Sequence, residues 1–253
     1  MGKIALVVEY EGARYHGSQV QADVPTIQGE IECAMSRLTG EMTRIAFASR
    51  TDAGVHAQGQ VVGLGTNSRL SLETFVRGLN HYLPEDIAVM KAFPVSDSFD
   101  VRRDASSREY CYRLLNSATP SPLLRRSAYF VPRPLDVAAM NEACKALIGT
   151  HDFAPFASPV NGRKSTVRTV YRAEVIRDGE LVTFHMVANS FLPHQVRNTI
   201  GALVKVGLGK CDAETFRQIA RSKTPASAGP TLPAHGLCLI KVNYSDGVWD
   251  ENL

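Results

Sequence analysis

The pattern of apolar and polar residues in the first hundred positions predicts strands and helices in the order β-α-β-β-α-β. Strand-like stretches alternate apolar and polar residues or are rich in β-branched residues, whereas helical stretches repeat apolar residues every three to four positions. The predicted strands are Lys3–Tyr10, Arg44–Ala48, Gln60–Leu64 and Asp86–Phe93, and the predicted helices are Thr26–Leu38 and Leu72–Leu83.

The second half of the chain repeats this order. The predicted elements are strand Glu109–Leu115, helix Val137–Ile148, strands Thr169–Ile176 and Leu181–Ala188, helices Gln195–Val206 and Ala213–Arg221, and strand Leu237–Tyr244. Asp178-Gly179 is typical of the tight turn of a hairpin. We therefore expect an α+β protein of two tandem ferredoxin-like β-α-β-β-α-β units, with mainly antiparallel sheets and helices packed on one face.

A segment rich in charge and serine near 99–108 predicts the boundary between an N-terminal lobe, 1–101, and a C-terminal lobe, 102–253. Two stretches of the second lobe, Pro120–Pro134 and Ala154–Val167, lack periodicity and contain proline and basic residues, which indicates long loops. Long basic loops beside a sheet favour a binding function over an idle one.

The composition is that of a folded globular protein, with 44% hydrophobic and 21% charged residues among 253. The N-terminal residues show neither a signal-peptide nor a transit-peptide pattern. No apolar run reaches the roughly 18 residues that span a bilayer. We expect a cytoplasmic protein.

The basic charge is concentrated in the middle of the chain. Residues 102–223 carry 19 basic and 10 acidic side chains, whereas residues 1–101 carry 8 and 12. Arginine supplies 20 of the 28 basic residues, and its planar guanidinium binds phosphate bidentately and stacks on bases. A polyanionic partner such as RNA is one interpretation, and a solvated arginine-rich surface is the other.

Common catalytic and metal-binding patterns are absent from the sequence. It contains no phosphate-binding loop, no dinucleotide-binding glycine motif, no nucleophile elbow and no zinc-protease motif. The five cysteines lack both CxxC spacing and a nearby histidine pair, so we expect small buried side chains rather than disulfides or a zinc site. We expect no metal.

The segment Ser49-Arg50-Thr51-Asp52-Ala53-Gly54 directly follows a predicted apolar strand. A turn at the end of a strand would present the Asp52 carboxylate beyond the sheet, with Arg50 beside it. An Asx-turn, in which Asp52 only bonds the following backbone, explains the same residues.

Two further segments carry candidate residues. Tyr110 and Tyr112 share one face of a predicted strand, because side chains alternate along strands, and a pair of core tyrosines is the simpler interpretation. In Phe191–Asn198, Pro193 suits the first turn of a helix. Arg197 lies inside that mainly apolar helix and, if buried, needs an anionic partner. Asp52 is a candidate partner.

Six segments of the chain resemble those of a known family. The segments YEGARYHGSQVQ (10–21), TIQGEIECA (26–34), SRTDAGVHAQGQVV (49–62), REYCYRL (108–114), FLPHQVRNTIG (191–201) and PAHGLCLIKVNY (233–244) are similar to those of bacterial tRNA pseudouridine synthase A. The similarity runs from end to end, and the RTDAGVHA element is highly specific.

The resemblance implies isomerisation of uridines 38 to 40 in the tRNA anticodon stem-loop by a homodimer without a cofactor. It further implies that Asp52 is the nucleophile, that Tyr110 contacts the target nucleotide and that Arg197 pairs with Asp52. Attack by Asp52 at C1′ and attack at C6 of the base both remain open. Arg50 is a further candidate catalytic residue, and the candidate substrate-binding residues are Tyr110, Arg163, Lys164 and Arg168.

Three positions depart from the family's usual residues. Ser49 stands where glycine is usual, Ser18 where tryptophan is usual, and Gln195 where methionine is usual. The nucleophile and its two partners are present. The departures therefore concern the breadth of substrates and the positioning of RNA rather than the class of reaction.

Two other function classes are weighed against this one. A non-catalytic RNA-binding protein built from tandem ferredoxin-like lobes should carry an aromatic cluster on its central strands. The strand with Tyr110 and Tyr112 has no such cluster. A hydrolase of the same glycosidic bond should carry two well-placed carboxylates, and only Asp52 is apparent.

Overall fold

The computed structural model describes residues 2–159, 165–222, 224–245 and 247–248. The chain divides into two compact units. The first unit contains residues 1–108 and 238–253, and the second contains residues 109–237. The boundary predicted at residues 101 and 102 lies seven residues before this division, and the predicted C-terminal lobe includes the last strand, unlike the second unit.

Within the described residues the protein is a mixed α+β fold with five α-helices. The strands are β1 Gly2–Tyr10, β2 Ala46–Phe47, β3 His56–Thr66, β4 Ile87–Val95, β5 Ala105–Leu115, β6 Tyr129–Phe130, β7 Gly149–Asp152, β8 Val167–Asp178, β9 Leu181–Ala188 and β10 Leu237–Tyr244. The α-helices are α1 Ile27–Thr39, α2 Leu72–Tyr82, α3 Val137–Cys144, α4 Gln195–Gly207 and α5 Ala213–Arg221.

The sheet of the first unit has β1 between β3 and β4, and both pairs are antiparallel. β2 pairs antiparallel with β3 near the middle of that strand. β10 pairs with β3 in parallel, with Cys238 opposite His56 and Leu239 opposite Ala57. Because β3 begins at His56, this parallel contact lies directly after the segment that carries Asp52.

The helices of the first unit begin at side-chain caps. Thr26 accepts a hydrogen bond from the Gly29 N–H at the start of α1, and Ser71 accepts one from the Thr74 N–H at the start of α2. Such caps satisfy main-chain donors that have no partner inside the helix. The apolar spacing of α1 predicts one buried face, made of Ile27, Ile31, Ala34, Met35 and Leu38. This face is buried except at Leu38, which is partly exposed.

In the second unit β9 lies between β5 and β8, and β7 follows β8 at the edge. The predicted hairpin is present, since Asp178 pairs with Leu181 across a two-residue turn. Of the two turn residues, only Gly179 has a positive φ, 56°. Asp178 itself ends β8, so glycine alone provides the left-handed backbone conformation here.

Several predicted bounds change in the structure. The strand predicted at Arg44–Ala48 is only the two-residue β2, whereas the strand predicted at Gln60–Leu64 extends over all of β3. The helix predicted at Val137–Ile148 ends at Cys144 and continues as a 3-10 turn, Lys145–Leu147. Each difference arises at the end of an element, where hydrogen-bond partners rather than apolar spacing set the limit.

The two predicted loops contain short regular elements. β6 lies within Pro120–Pro134, and a 3-10 turn, Ala154–Phe156, lies within Ala154–Val167. Residues 160–164 of the second loop lie outside the described residues. None of the described helices combines the length and apolar character needed to cross a membrane.

The cysteines follow the prediction in part. Cys111, Cys144 and Cys238 are buried, whereas Cys33 is exposed and Cys211 is partly exposed. Burial raises the pKa of the Cys111 thiol to about 11 and that of Cys144 to about 12. These two thiols are therefore uncharged near neutral pH.

Candidate active site

In the segment that carries Asp52, alternate residues are fixed by hydrogen bonds to the interior of the first unit. Thr51 is 6% exposed and Ser49 is half-buried, and both bond to the interior of the first unit. Arg50 and Asp52, which alternate with them, are exposed. Fixing one set of alternate residues turns the other set toward solvent, so the segment presents Arg50 and Asp52 together.

Gln60 holds the first of the anchored residues. Its side chain is fully buried, and its Oε1 accepts from the Ser49 N–H at 3.2 Å while its Nε2 donates to the Ser49 carbonyl at 2.7 Å. Both main-chain polar groups of Ser49 are thereby satisfied by one side chain of β3. A buried amide with all its partners in place fixes a backbone position strongly.

Ser18 and Tyr10 hold the second anchored residue. The Thr51 N–H donates to Ser18 Oγ at 3.0 Å, and the Ser18 N–H donates to the Thr51 carbonyl at 3.0 Å. The Tyr10 hydroxyl lies 2.8 Å from Thr51 Oγ1. Ser18 is fully buried, so the backbone immediately before Asp52 is fixed by a buried, hydrogen-bonded contact.

The turn after Asp52 is closed by the main chain. The Val55 N–H donates to the Asp52 carbonyl at 3.1 Å. Gly12 packs so closely here that a Cβ atom would lie 2.0 Å from the Val55 carbonyl oxygen, and its N–H donates to His56 Nδ1 at 3.1 Å. Only glycine allows this approach of two backbones.

Arg108 is a buried cation at the base of the same segment. Its guanidinium donates to the carbonyls of Ala48, Arg102 and Ala105 at 3.2, 2.7 and 3.0 Å. Ala48 directly precedes Ser49, so Arg108 joins the start of β5 to the segment that carries Asp52. Sequence reasoning assigned no role to Arg108, although it lies in the REYCYRL motif.

In the second unit, Tyr110 packs against the segment before α4. Its ring is 6% exposed and lies edge-on to Phe191, with ring centroids 5.0 Å apart. Tyr112, two residues along the same face of β5, donates from its hydroxyl to the Pro233 carbonyl at 2.7 Å. Burial raises the pKa of the Tyr112 phenol, so this hydroxyl keeps its proton.

Arg197 lies in the first turn of α4 and is half-buried. Its Nε donates to the Leu232 carbonyl at 2.7 Å. The predicted start of this helix at Gln195 is confirmed. Pro193, expected in the first turn, lies two residues before it, because His194 between them has a left-handed φ of 60° and is not helical.

The predicted substrate-binding residues in and directly after the second loop are Arg163, Lys164 and Arg168. Arg163 and Lys164 lie outside the described residues. Arg168, near the start of β8, donates from one terminal nitrogen to the carbonyls of Ser165 and Val167. Burial lowers the pKa of the Arg168 guanidinium.

The other predicted loop is anchored by Asn116. Its Nδ2 donates to the carbonyls of Val131 and Arg133 at 2.9 and 2.7 Å, and its Oδ1 accepts from the Leu135 N–H and from Arg177. These bonds close the loop at its base, while Arg125, Arg126 and Arg133 remain exposed. A loop that is fixed at its base presents its cations in a defined place.

The structure therefore joins Arg50 and Asp52 on one exposed segment of the first unit. It joins Tyr110 to the segment before Arg197 in the second unit. The anchoring residues Gln60 and Arg108 had no predicted part in the site, and Ser18 had been connected only with the positioning of RNA. The His, Cys, Asp and Glu side chains of the described segments form no group of three or more that could hold a metal ion.

The family model for tRNA pseudouridine synthase matches residues 6–104 and 143–245. The chain belongs to this family. A tRNA pseudouridine synthase A from Roseiflexus castenholzii is 47% identical over 97% of this chain and 92% of its own length. The enzyme of the same name from Acetivibrio thermocellus is 40% identical over 96% of this chain and 100% of its own length.

The predicted family and class of enzyme are thus confirmed: this member of the tRNA pseudouridine synthase family is an isomerase that acts on tRNA. Among solved structures, an archaeal box H/ACA sRNP Nop10–Cbf5 complex aligns with 80% of this chain and 43% of its own at 14% identity and a TM-score of 0.33. A likeness this weak supports no further conclusion.

Proposed function

We propose that this tRNA pseudouridine synthase isomerises uridines 38, 39 and 40 of the tRNA anticodon stem-loop to pseudouridine. The observation that carries the proposal is the rigidly anchored segment that presents Asp52, within a motif specific to the family. The reaction breaks the N1–C1′ bond, rotates the base, joins C5 to C1′, releases the C5 proton and leaves N1 protonated. No atom is added, so the reaction needs no cofactor.

Asp52 is the proposed nucleophile. It attacks C1′ or C6, and both routes require an ionised carboxylate whose position is fixed before the substrate arrives. The hydrogen bonds that Ser49 and Thr51 make to Gln60, Ser18 and Tyr10 support this role. They fix the backbone on the approach to Asp52 without using the exposed side of the segment.

Arg197 is the proposed ion-pair partner of Asp52, and Arg50 is a second cation near it. An adjacent guanidinium favours the charged form of a carboxylate and keeps it deprotonated at working pH. The bond from Arg197 Nε to the Leu232 carbonyl supports a positioning of this side chain. Its terminal nitrogens are the groups proposed to pair with Asp52.

Tyr110 is the proposed contact of the target uridine. A uridine inside a stem reaches a carboxylate only after it is flipped out, which costs a few kcal/mol. Tyr110 offers an aromatic face for stacking and a phenol that could accept the C5 proton. Its edge-on packing with Phe191 supports a fixed ring orientation.

The basic middle of the chain is the proposed tRNA-binding region, with Arg163, Lys164 and Arg168 as substrate contacts. Phosphate contacts offset the cost of flipping the uridine. We also propose a homodimer in the cytoplasm. Size-exclusion chromatography with light scattering tests the dimer, and a monomer at the concentrations that support catalysis would contradict it.

The finer description of the fold also remains a proposal. In the first unit, β4, β1, β3 and β2 follow one another across the sheet with antiparallel neighbours. In the second unit the sequence order β5, α3, β8, β9, α4 parallels that of the first unit. These orders support two ferredoxin-like units.

The release of tritium from C5 of uridine tests the proposed reaction. Anticodon stem-loop transcripts that carry labelled uridine at position 38, 39 or 40 alone should each release tritium. Transcripts labelled only at another position of the stem should not. Release from these other positions, with none from 38 to 40, would contradict the proposed target.

A further inference from the structure

Gln195 closes the turn that precedes α4. Two hydrogen bonds join it to Leu192: its main-chain N–H donates to the Leu192 carbonyl at 3.1 Å, and its side-chain Oε1 accepts from the Leu192 N–H at 2.9 Å. Gln195 is 1% exposed. Both main-chain polar groups of Leu192 are thus satisfied by one residue inside the protein.

The turn that Gln195 closes is strained. His194 has a φ of 60°, in the left-handed region that non-glycine residues seldom adopt. Such a conformation persists only where several contacts enforce it. Ser158 makes two such contacts. Its Oγ lies 2.6 Å from His194 Nδ1, at hydrogen-bond distance, and its N–H donates to the Pro193 carbonyl at 3.1 Å.

The amide of Gln195 is unfavourable in one respect. Its Nε2 is buried, and no hydrogen-bond partner for it is found among the described residues. A buried donor without a partner destabilises the fold, and an apolar side chain of similar length would avoid that cost. The favourable contribution of the amide therefore lies at Oε1, on the Leu192 N–H.

Phe191 is the residue that this contact places. Its carbonyl carbon is bonded directly to the Leu192 nitrogen that Gln195 holds, and its ring packs edge-on against Tyr110 at 5.0 Å. Edge-to-face packing constrains a ring more than featureless apolar contact does. A shift of the turn would therefore be passed to Tyr110.

We propose that Gln195 is a positioning residue that sets the orientation of Tyr110 through Leu192 and Phe191. This inference rests on the proposed function, in which Tyr110 contacts the flipped uridine. Gln195 touches no substrate in this account. Its effect is on the rate of the bound complex rather than on the binding of tRNA.

The test replaces Gln195 with methionine, the residue that is usual here in the family. Methionine keeps the length and removes both polar atoms of the side chain, so the variant shows whether this chain depends on the amide. We expect kcat for tritium release to fall by about tenfold or more, since small misplacements in an active site can cost up to about a hundredfold. The KM for tRNA should stay near that of the wild type. The melting temperature should change little, because the cost of leaving the Leu192 N–H without its acceptor is offset by removal of the unpaired Nε2 donor. A folded Gln195→Met enzyme with wild-type kcat would overturn the inference.

Thr199→Val is the matched control. Thr199 is fully buried in the same helix, and its Oγ1 donates to the Gln195 carbonyl at 2.8 Å. Removing this bond leaves the Leu192 turn intact, so kcat should not change. An equal fall of kcat in both variants would mean that general loosening of α4 is responsible and would overturn the inference.

A double variant tests the route through Phe191. Phe191→Leu should lower kcat, and Phe191→Leu with Gln195→Met should be no slower than the slower single variant, because both changes break one chain of contacts. Rate losses that multiply would overturn this route. A wild-type enzyme that releases no tritium would instead contradict the proposed function, which separates the two failures.

Discussion

Ser18 is a small residue that fixes the backbone next to the proposed nucleophile through hydrogen bonds to Thr51. It stands where the family usually has tryptophan, and it is fully buried with hydrogen bonds to both main-chain groups of Thr51. A buried serine at this position is therefore a structural anchor of the Asp52 segment. The resemblance alone offered no such role for it.

Replacing Ser18 with alanine should loosen that anchor. The Thr51 N–H loses its acceptor inside the protein, which lowers the free energy of unfolding by about 1 to 3 kcal/mol. We also expect kcat for tritium release to fall while the tRNA Kd is unchanged. Urea unfolding and single-turnover kinetics measure the two effects.

Ser96→Ala is the control for this variant. Ser96 lies in the same unit with an exposed hydroxyl that bonds only to Ser98 among the contacts seen. It should alter neither stability nor rate. A Ser18→Ala enzyme as stable and as fast as Ser96→Ala would contradict the anchoring role.

His185 provides a test of pH dependence at the same scale. Burial, and then the nearby Arg172 cation, lower the pKa of its imidazole below the ordinary 6.5. The unfolded chain therefore binds a proton more readily than the native state as pH falls through 6.5. Stability should decrease in that direction, because a proton taken up by the unfolded state favours unfolding.

The control for this test is His185→Gln, whose side chain at this position has no ionisable group. Urea unfolding at about pH 7.5 and about pH 5.5 should show a larger loss of stability in the wild type than in the variant. Equal losses would show that His185 does not contribute. The site residues are unchanged in both enzymes.

At the scale of elements, periodicity predicted the long helices and strands well and the short ones poorly. The apolar face of α1 and the hairpin between β8 and β9 follow directly from local sequence. β2 is shorter than its apolar run because only Ala46 and Phe47 pair with β3. Pairing partners are distant in sequence, so spacing cannot reveal them.

The loop anchored by Asn116 gives an element-scale prediction. Asn116→Ala removes contacts to Val131, Arg133, Leu135 and Arg177 at once. We expect a loss of about 2 kcal/mol or more in the free energy of unfolding, because several buried polar groups lose partners. Thermal and urea unfolding check this.

The same variant should bind tRNA more weakly if the exposed arginines of this loop contact phosphate. Thr119→Ala, at an exposed position one residue before the loop, serves as the control. If Asn116→Ala lowers stability but does not weaken tRNA binding, the loop does not take part in binding and its role is structural.

At the scale of the whole molecule, the uneven distribution of charge along the sequence leads to a testable expectation about tRNA binding. The middle of the chain carries a balance of +9, against −4 before it and −2 after it. Each neutralised phosphate contributes about −0.9 to the slope of log affinity against log salt for duplex DNA, and less for single strands. Binding spread over this region should therefore be strongly salt-dependent.

Arg163→Ala and Lys164→Ala test that expectation directly. Each should weaken tRNA binding at all salt concentrations and make the slope shallower by up to about one unit, without a change in the rate at saturating tRNA. Titrations at several salt concentrations measure both. If the slope of log affinity against log salt equals that of the wild type, the loop Ala154–Val167 does not contact the RNA.

The candidate site was only partly predictable. Its motif residues could be named because Asp52, Tyr110 and Arg197 lie in segments with strong family resemblance. Ser18, Gln60 and Arg108 could not, since each acts through main-chain groups far away in the sequence. Nothing in the spacing of Arg108, for example, indicates that it binds the carbonyl of Ala48.

The measurement that tests the central claim most directly is tritium release by Asp52→Asn, which changes a carboxylate into an amide of nearly the same shape. We predict no release at saturating tRNA, because an amide cannot act as the nucleophile, and a tRNA Kd close to that of the wild type. Asp97→Asn, at another exposed carboxylate, should be fully active. Tritium release by Asp52→Asn at the wild-type rate would contradict the account.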